Sequence, residues 1–139
     1  VVLADHATGN LVGPYHYKEL LLPIHQEITA QVGGPLILHV CGNCSDRLEL
    51  FASSGVDGYH FEWQVDSREA VRRVGDEISL VGNINNPQVL LQGTPEDVYK
   101  QTRYAIEAGV HIIAPECAIP LTTPLENLRA IVDAAREGY

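Results

Sequence analysis

Methionine is absent from this chain, even at position 1. Apolar runs last only a few residues, too short for a helix crossing the roughly 30 Å core of a bilayer. No charged-then-apolar leader opens the sequence. Lys and Arg total 9 against 18 Asp and Glu, and the net charge is −9. With no basic block, that balance argues against nucleic acid or an anionic membrane surface as partner. Neither G-x-G-x-x-G nor G-x-x-x-x-G-K-[ST] follows the first apolar run, so the nucleotide-binding sheets lose ground. Cysteines number only three. An odd count with two close together argues against a disulfide framework and fits a reducing cytoplasm, with thiols free for metal.

What is present is an ordinary globular balance over 139 residues: 45% hydrophobic and 19% charged. That is enough for one domain with a real core. The chain begins directly on "VVLAD", which reads as a buried strand. The expectation is a single partial domain over residues 1–139, with its N-terminal strands missing.

Short apolar runs alternate with longer amphipathic ones, the βαβ pattern. Strands are expected at Val1–Ala4, Leu36–Val40, Gly58–Phe61, Ser79–Gly82 and Val110–Ala114. A first helix should run from about Tyr15 to Val32, kinked at Pro23, and end at Gly33–Pro35. Ser45 should cap a helix running to about Ser53. Further helices are expected at Ser67–Val74, from Pro95 to about Ala108 with Thr94 as cap, and from near Pro124 to Glu137 with Thr123 as cap. Near-continuous apolar strands imply a parallel sheet covered by helices. An open doubly wound sheet or five β/α units of a (β/α)8 barrel both fit.

In either architecture function gathers at the C-terminal ends of the strands. Asp5 and His6 stand there, as do His39, Val40 and Cys41, then His60 to Trp63, Asn83, and Glu116 with Cys117. His39 and Cys41 are two apart on a strand and share one face. In a closed barrel Cys117 can approach Cys41 across the mouth. One imidazole and two thiolates make a three-ligand zinc site with an open fourth position, as catalytic zinc has. Bland alternatives stand beside this. His39 suits a hydrogen-bonded core histidine, Cys117 a buried small hydrophobe, and Cys41–Cys44 a C-x-x-C redox pair. Cys44 falls in the turn, off the strand face.

Glu62 shares a face with His60 and Gly58. It is a candidate general base, fourth metal ligand or orienting partner for a histidine, or simply a salt-bridged strand end. Asp5 carries the same ambiguity. Asn83 could contact substrate or cap a loop. Tyr59, Phe61 and Trp63 should lie on the opposite face under helices. His16, His25 and His111 read as surface or packing residues.

"HVCGN", "GVDGYHFEW", "LVGNINNPQVLLQGTPEDV" and "IIAPECAIPLTTPLENLRAIVDAAR" together resemble the uroporphyrinogen decarboxylase superfamily. So does the opening "ADHATGNLVGPYHYKELLLPIHQEI". The resemblance covers nearly the whole chain and implies the C-terminal five β/α units of a (β/α)8 TIM-type barrel. H-x-C, followed much later by a Cys before P-x-x-T-P-L-E-N, resembles the methylcobamide:coenzyme M methyltransferase branch. That implies a zinc-dependent transfer of a methyl group from a methylated corrinoid, presented by a corrinoid protein, to a thiol such as coenzyme M. Carried over by position, the zinc ligands are His39, Cys41 and Cys117. Glu62 and Asp5 become the candidate catalytic carboxylates, and Asn83 and His60 the candidate substrate contacts. Two other functions stay open: a metal-free decarboxylase, and a non-catalytic partial barrel that associates with a copy of itself or a missing half.

Overall fold

The computed structural model describes residues 1–138. Five strands, β1 (Val2–Asp5), β2 (Ile37–Val40), β3 (Gly58–His60), β4 (Ser79–Ile84) and β5 (Ile112–Pro115), form one parallel sheet. Their spatial order is their chain order, β1-β2-β3-β4-β5. A doubly wound sheet reverses its order at a switch point. This one never does, so each unit steps to the next in the same direction, as in a barrel. The sheet is a sector of a (β/α) barrel.

The strand bounds differ from the expected ones by a residue or two, and β4 continues to Ile84. Alternation decides what each side chain meets. Leu38, Val40, Tyr59, Phe61 and Leu80 are fully or almost fully buried against the helical layer, with Leu48, Phe51 and Val98. Phe51 is the centre of this core. Its ring meets Tyr17 edge-on at 5.1 Å and Tyr59 at 4.4 Å between centroids. His39, His60, Val81 and Ile112 lie at matching register on successive strands. Gly82 allows β3 and β4 to pair closely: at its φ of +137° a Cβ would lie 2.6 Å from the Phe61 carbonyl oxygen.

The helices follow local chemistry. α5 (Pro95–Ala108) opens with a full capping box between Thr94 and Asp97 and closes at Gly109, with φ +94°. α4 (Ser67–Val74) starts where the Asp66 carboxylate accepts the Glu69 N–H. The expected single helix over 15–32 is three pieces: α1 (Pro14–His16), a π-helical turn over Tyr17–Leu21, and α2 (Leu22–Gln31). Pro23 has no N–H to offer, and Leu22 N–H reaches five residues back to the Tyr17 carbonyl. Ser45 begins a 3-10 turn (Ser45–Arg47) before α3 (Leu48–Ala52) rather than capping it. Before α5 comes an unanticipated π-helical stretch over Asn86–Leu91, opened by the Asn85 side chain accepting from Gln88 N–H. α6 (Leu125–Gly138) closes the described chain, but the buried Thr123 hydroxyl has no hydrogen-bond partner among the described residues and does not cap it. Among the described residues, no helix is long and apolar enough to cross a membrane.

Candidate metal centre

Sheet curvature brings the ends of β2 and β5 together although two strands separate them. Cys41 follows β2 and Cys117 follows β5, 76 positions apart, yet their sulfurs lie 3.7 Å from one another. His39 Nε2 stands 3.3 Å from Cys41 Sγ. All three ligand atoms fall within 4.8 Å of each other. This is the one group of metal-binding side chains gathered among the described residues.

The spacing can be tested against zinc. Bond lengths of about 2.3 Å to sulfur and 2.0–2.1 Å to nitrogen at tetrahedral angles give edges of about 3.8 Å for S···S and 3.6 Å for S···N. The observed 3.7 Å matches the first, and 3.3 Å is slightly tight for the second. The three residues present fit the ion.

Hydrogen bonds hold this geometry. His39 Nδ1–H donates to the His60 carbonyl at 3.2 Å, which turns Nε2 toward the sulfurs. His60 Nε2–H donates in turn to the Pro115 carbonyl at 2.8 Å, tying β3 to the end of β5 beyond β4. The two rings lie 4.5 Å apart. Burial above all pushes the His60 imidazole below its ordinary value, against the Pro115 carbonyl, so the ring is neutral at neutral pH. Burial, then the hydrogen bond and charge of Cys117, push the Cys41 thiol up to about 12, and the Glu62 carboxylate adds to this. The Cys41 thiol therefore stays protonated at neutral pH unless a cation compensates.

Around the turn, the loop after β1 approaches so closely that a Cβ on Gly9 would overlap the Asn43 carbonyl. Cys44 is fully buried, its Sγ 3.5 Å from the Cys41 carbonyl, and stands outside the three-residue group. All three cysteines are free thiols.

The remaining candidates take separate places. Glu62 is half-buried and stands outside the three-residue group, though its carboxylate is near enough to help raise the Cys41 thiol. Asp5 stays outside the group: its oxygens accept from Ala7 N–H at 2.8 Å and pair with His25 Nε2 at 2.9 Å. His25 is neither a surface residue nor simple packing. It is buried and bridges Asp5 to the Tyr17 hydroxyl at 2.7 Å. Asn83 is buried, donating to the Val65 carbonyl and accepting from the Ser67 hydroxyl, so its amide holds the loop after β3. Trp63 does not pack under helices with Tyr59 and Phe61. β3 ends at His60, the alternation lapses, and Trp63 is 39% exposed. His111 is exposed and accepts the Leu80 N–H through Nδ1. Glu116, mentioned in sequence only as a strand-end residue, is 3% exposed beside Cys117.

The family model described as uroporphyrinogen decarboxylase (URO-D) matches residues 1–138, and the chain belongs to that family. Within it, the chain is 36% identical over 136 residues to a methylated-thiol–coenzyme M methyltransferase of Methanosarcina mazei, covering 97% of this chain and 37% of that one. It is 35% identical over 141 residues to the methylcobamide:CoM methyltransferase MtaA of Methanosarcina barkeri, covering 100% and 41%. A solved methyltransferase structure from Methanosarcina mazei superposes with a TM-score of 0.94 at 30% identity, covering 98% of this chain and 41% of that one. The chain thus spans about two-fifths of the length of these relatives.

Proposed function

We propose that this chain carries the metal-binding part of a zinc-dependent methyltransferase that moves a methyl group from a methylated corrinoid to a thiol such as coenzyme M. The observation that carries the reading is the His39–Cys41–Cys117 group, with its near-tetrahedral S···S edge. The names of the methyltransferase relatives support the reaction class. In the transfer, the thiol sulfur attacks the methyl carbon, the cobalt keeps the electron pair of the broken bond, and the thiol proton leaves. Zinc bound here would supply the positive charge that keeps a thiol deprotonated at neutral pH. His39 Nε2 and the sulfurs of Cys41 and Cys117 would hold it. His60 orients His39 through its carbonyl and fixes the end of β5 through its ring. Glu62, whose carboxylate helps raise the Cys41 thiol, is our candidate for a further group that would hold the ion. Asp5 and Asn83, whose polar atoms already have protein partners, shape the mouth rather than touch substrate.

A corrinoid protein is the proposed donor at the mouth, and a reducing cytoplasm the proposed compartment. Among the described residues β1 pairs only with β2 and β5 only with β4. Val2 and Ile112 on these edge strands are 61% and 49% exposed. That favours a barrel completed by further β/α units, from a second chain or from polypeptide outside this one.

Metal analysis of the purified chain tests the site directly, with stoichiometric zinc expected. Demethylation of methylcobalamin by a panel of thiols, with and without chelator, tests the reaction in the assembled enzyme. Transfer indifferent to chelator would overturn the zinc reading, and neither bound zinc nor transfer would return the metal-free decarboxylase to favour.

A further inference from the structure

We infer that Glu116 is a positioning residue that sets both the reach of Cys117 and the placement of Glu62, through a clamp completed by Asn86. The inference rests on the metal centre proposed above but is drawn from contacts that no metal makes. Glu116 is buried, and each carboxylate oxygen holds a different loop. Oε2 accepts the Trp63 N–H at 2.9 Å, next to Glu62 after β3. Oε1 accepts the Asn86 N–H at 2.8 Å, after β4. The Glu116 N–H donates to the Ile84 carbonyl at 3.0 Å. Asn86 then reaches past the cysteine: its Nδ2 donates to the Ala118 carbonyl at 2.9 Å. Both flanks of Cys117 are therefore pinned to one residue of the neighbouring unit.

The geometry explains how a sulfur on a loop can be a ligand at all. Cys117 lies beyond the last β5 residue, where ladder hydrogen bonds no longer fix the backbone. A metal site tolerates errors of about half an ångström in its ligand positions. A buried carboxylate with two charge-assisted N–H bonds is a strong local restraint. Because it also holds Trp63, the same side chain orders the segment that carries Glu62. Outer-shell partners of this kind are typically worth about 10–100-fold in metal affinity.

The test uses Glu116→Gln, nearly the same shape but with one acceptor oxygen replaced by a donor that faces an N–H. Asn86→Ala is the second variant, removing the bond to Ala118 while keeping the backbone donor. Asn127→Ala is the control. Asn127 bridges the Leu90 and Gly93 carbonyls and bonds none of Glu116, Trp63, Asn86 or Ala118, so its loss should lower the melting temperature while the clamp's own bonds remain. All are made in a Cys44→Ser background. Two readouts are taken: zinc affinity by chelator competition, and capture of the Cys41–Cys117 pair by phenylarsine oxide without metal. In that capture two S–H bonds break, two As–S bonds form, and the oxygen leaves as water with both protons.

The expected result is zinc binding weakened about 10–100-fold in Glu116→Gln and in the same direction in Asn86→Ala, with slower arsenical capture in both. Asn127→Ala should keep parent affinity and capture rate. Parent-like affinity and capture in Glu116→Gln would overturn the inference, and so would equal losses in Asn127→Ala. If the parent binds no zinc but Glu116→Gln still slows capture, the metal reading falls and the positioning role stands. If the parent neither binds zinc nor captures the arsenical, both fall.

Discussion

Three serine substitutions decide which cysteines form the site. Cys117→Ser removes a sulfur that lies 3.7 Å from Cys41 Sγ, close to the tetrahedral edge of about 3.8 Å that two zinc-bound sulfurs require. Serine's oxygen sits closer to the backbone than sulfur and does not ionise at neutral pH, so neither reach nor charge is preserved. Losing a ligand must cost more than losing an outer-shell partner, which is worth about 10–100-fold. Zinc affinity should therefore fall by more than about 100-fold, or about 2.7 kcal/mol. Cys41→Ser should do the same. Cys44→Ser should leave affinity nearly unchanged. The Cys44 sulfur is at 3.5 Å from the Cys41 carbonyl, a contact that a hydroxyl can also make, and burial pushes its thiol up, so it stays protonated. The assay is competition against a chromophoric zinc chelator, with each variant's melting temperature measured alongside. If Cys44→Ser loses zinc as fully as Cys41→Ser, the C-x-x-C pair is the metal-binding unit and the face argument fails.

The other predictions concern the scaffold and the ion. Phe51→Ala, in the aromatic stack with Tyr17 and Tyr59, should destabilise by about 3–5 kcal/mol in denaturant unfolding; a loss below 1 kcal/mol would mean that the stack is not a core. Glu49 accepts from Arg73 Nε and Nη2 at 2.7 and 2.6 Å, bonds that hold its carboxyl below the ordinary carboxylate value. Its folded value is depressed, so its contribution is present above the unfolded value of about 4.3 and is lost as pH falls through the folded one. The Glu49 side chain is 54% exposed, so Glu49→Gln should flatten acid-limb stability by no more than about 1 kcal/mol. Exhaustive chelation should lower the melting temperature of the zinc-loaded chain, and zinc alone should restore it; recovery with magnesium instead would contradict a thiolate site.

Much of this was legible in the sequence because strand geometry is strict. A two-residue spacing puts His39 and Cys41 on one face whatever the fold, and Thr94 with Pro95 marks the start of α5 to the residue. Legibility failed where the backbone leaves regular structure. Trp63 was assigned by extending strand alternation past the point where β3 stops. The π-helical turns arise from Pro23 and from the Asn85 side chain, features that read locally as a kink and a loop. His25 could not be told from a packing residue, because its partners Asp5 and Tyr17 lie 20 and 8 positions away and meet it only in three dimensions. Glu116 could be placed at a strand end but its clamping role could not be read, because both of its donors are backbone N–H groups, which carry no residue signature.

The divided origin of the site follows from that distinction. β2 carries His39, and Cys41 follows directly on its last residue, so the two need only the pleat continued by one position. A third ligand from the same strand would stand too far along it, at about 3.3 Å per residue. It must come from another strand, and a parallel barrel offers the strand ends of later units at the same face. β5 is distant enough that its end must be drawn over β3 and β4, and the bonds that do this are those from His60 to Pro115 and from Trp63 and Asn86 to Glu116. His39 on β2 and Cys41 directly after it should therefore tolerate changes in the later loops, while Cys117 should not. Weakening any one of these bonds should loosen the Cys117 contact before it disturbs His39 or Cys41. Cobalt substituted for zinc would report this as a partial loss of sulfur-to-cobalt charge-transfer absorption in Glu116→Gln. An unchanged band, or complete loss of metal, would contradict this division.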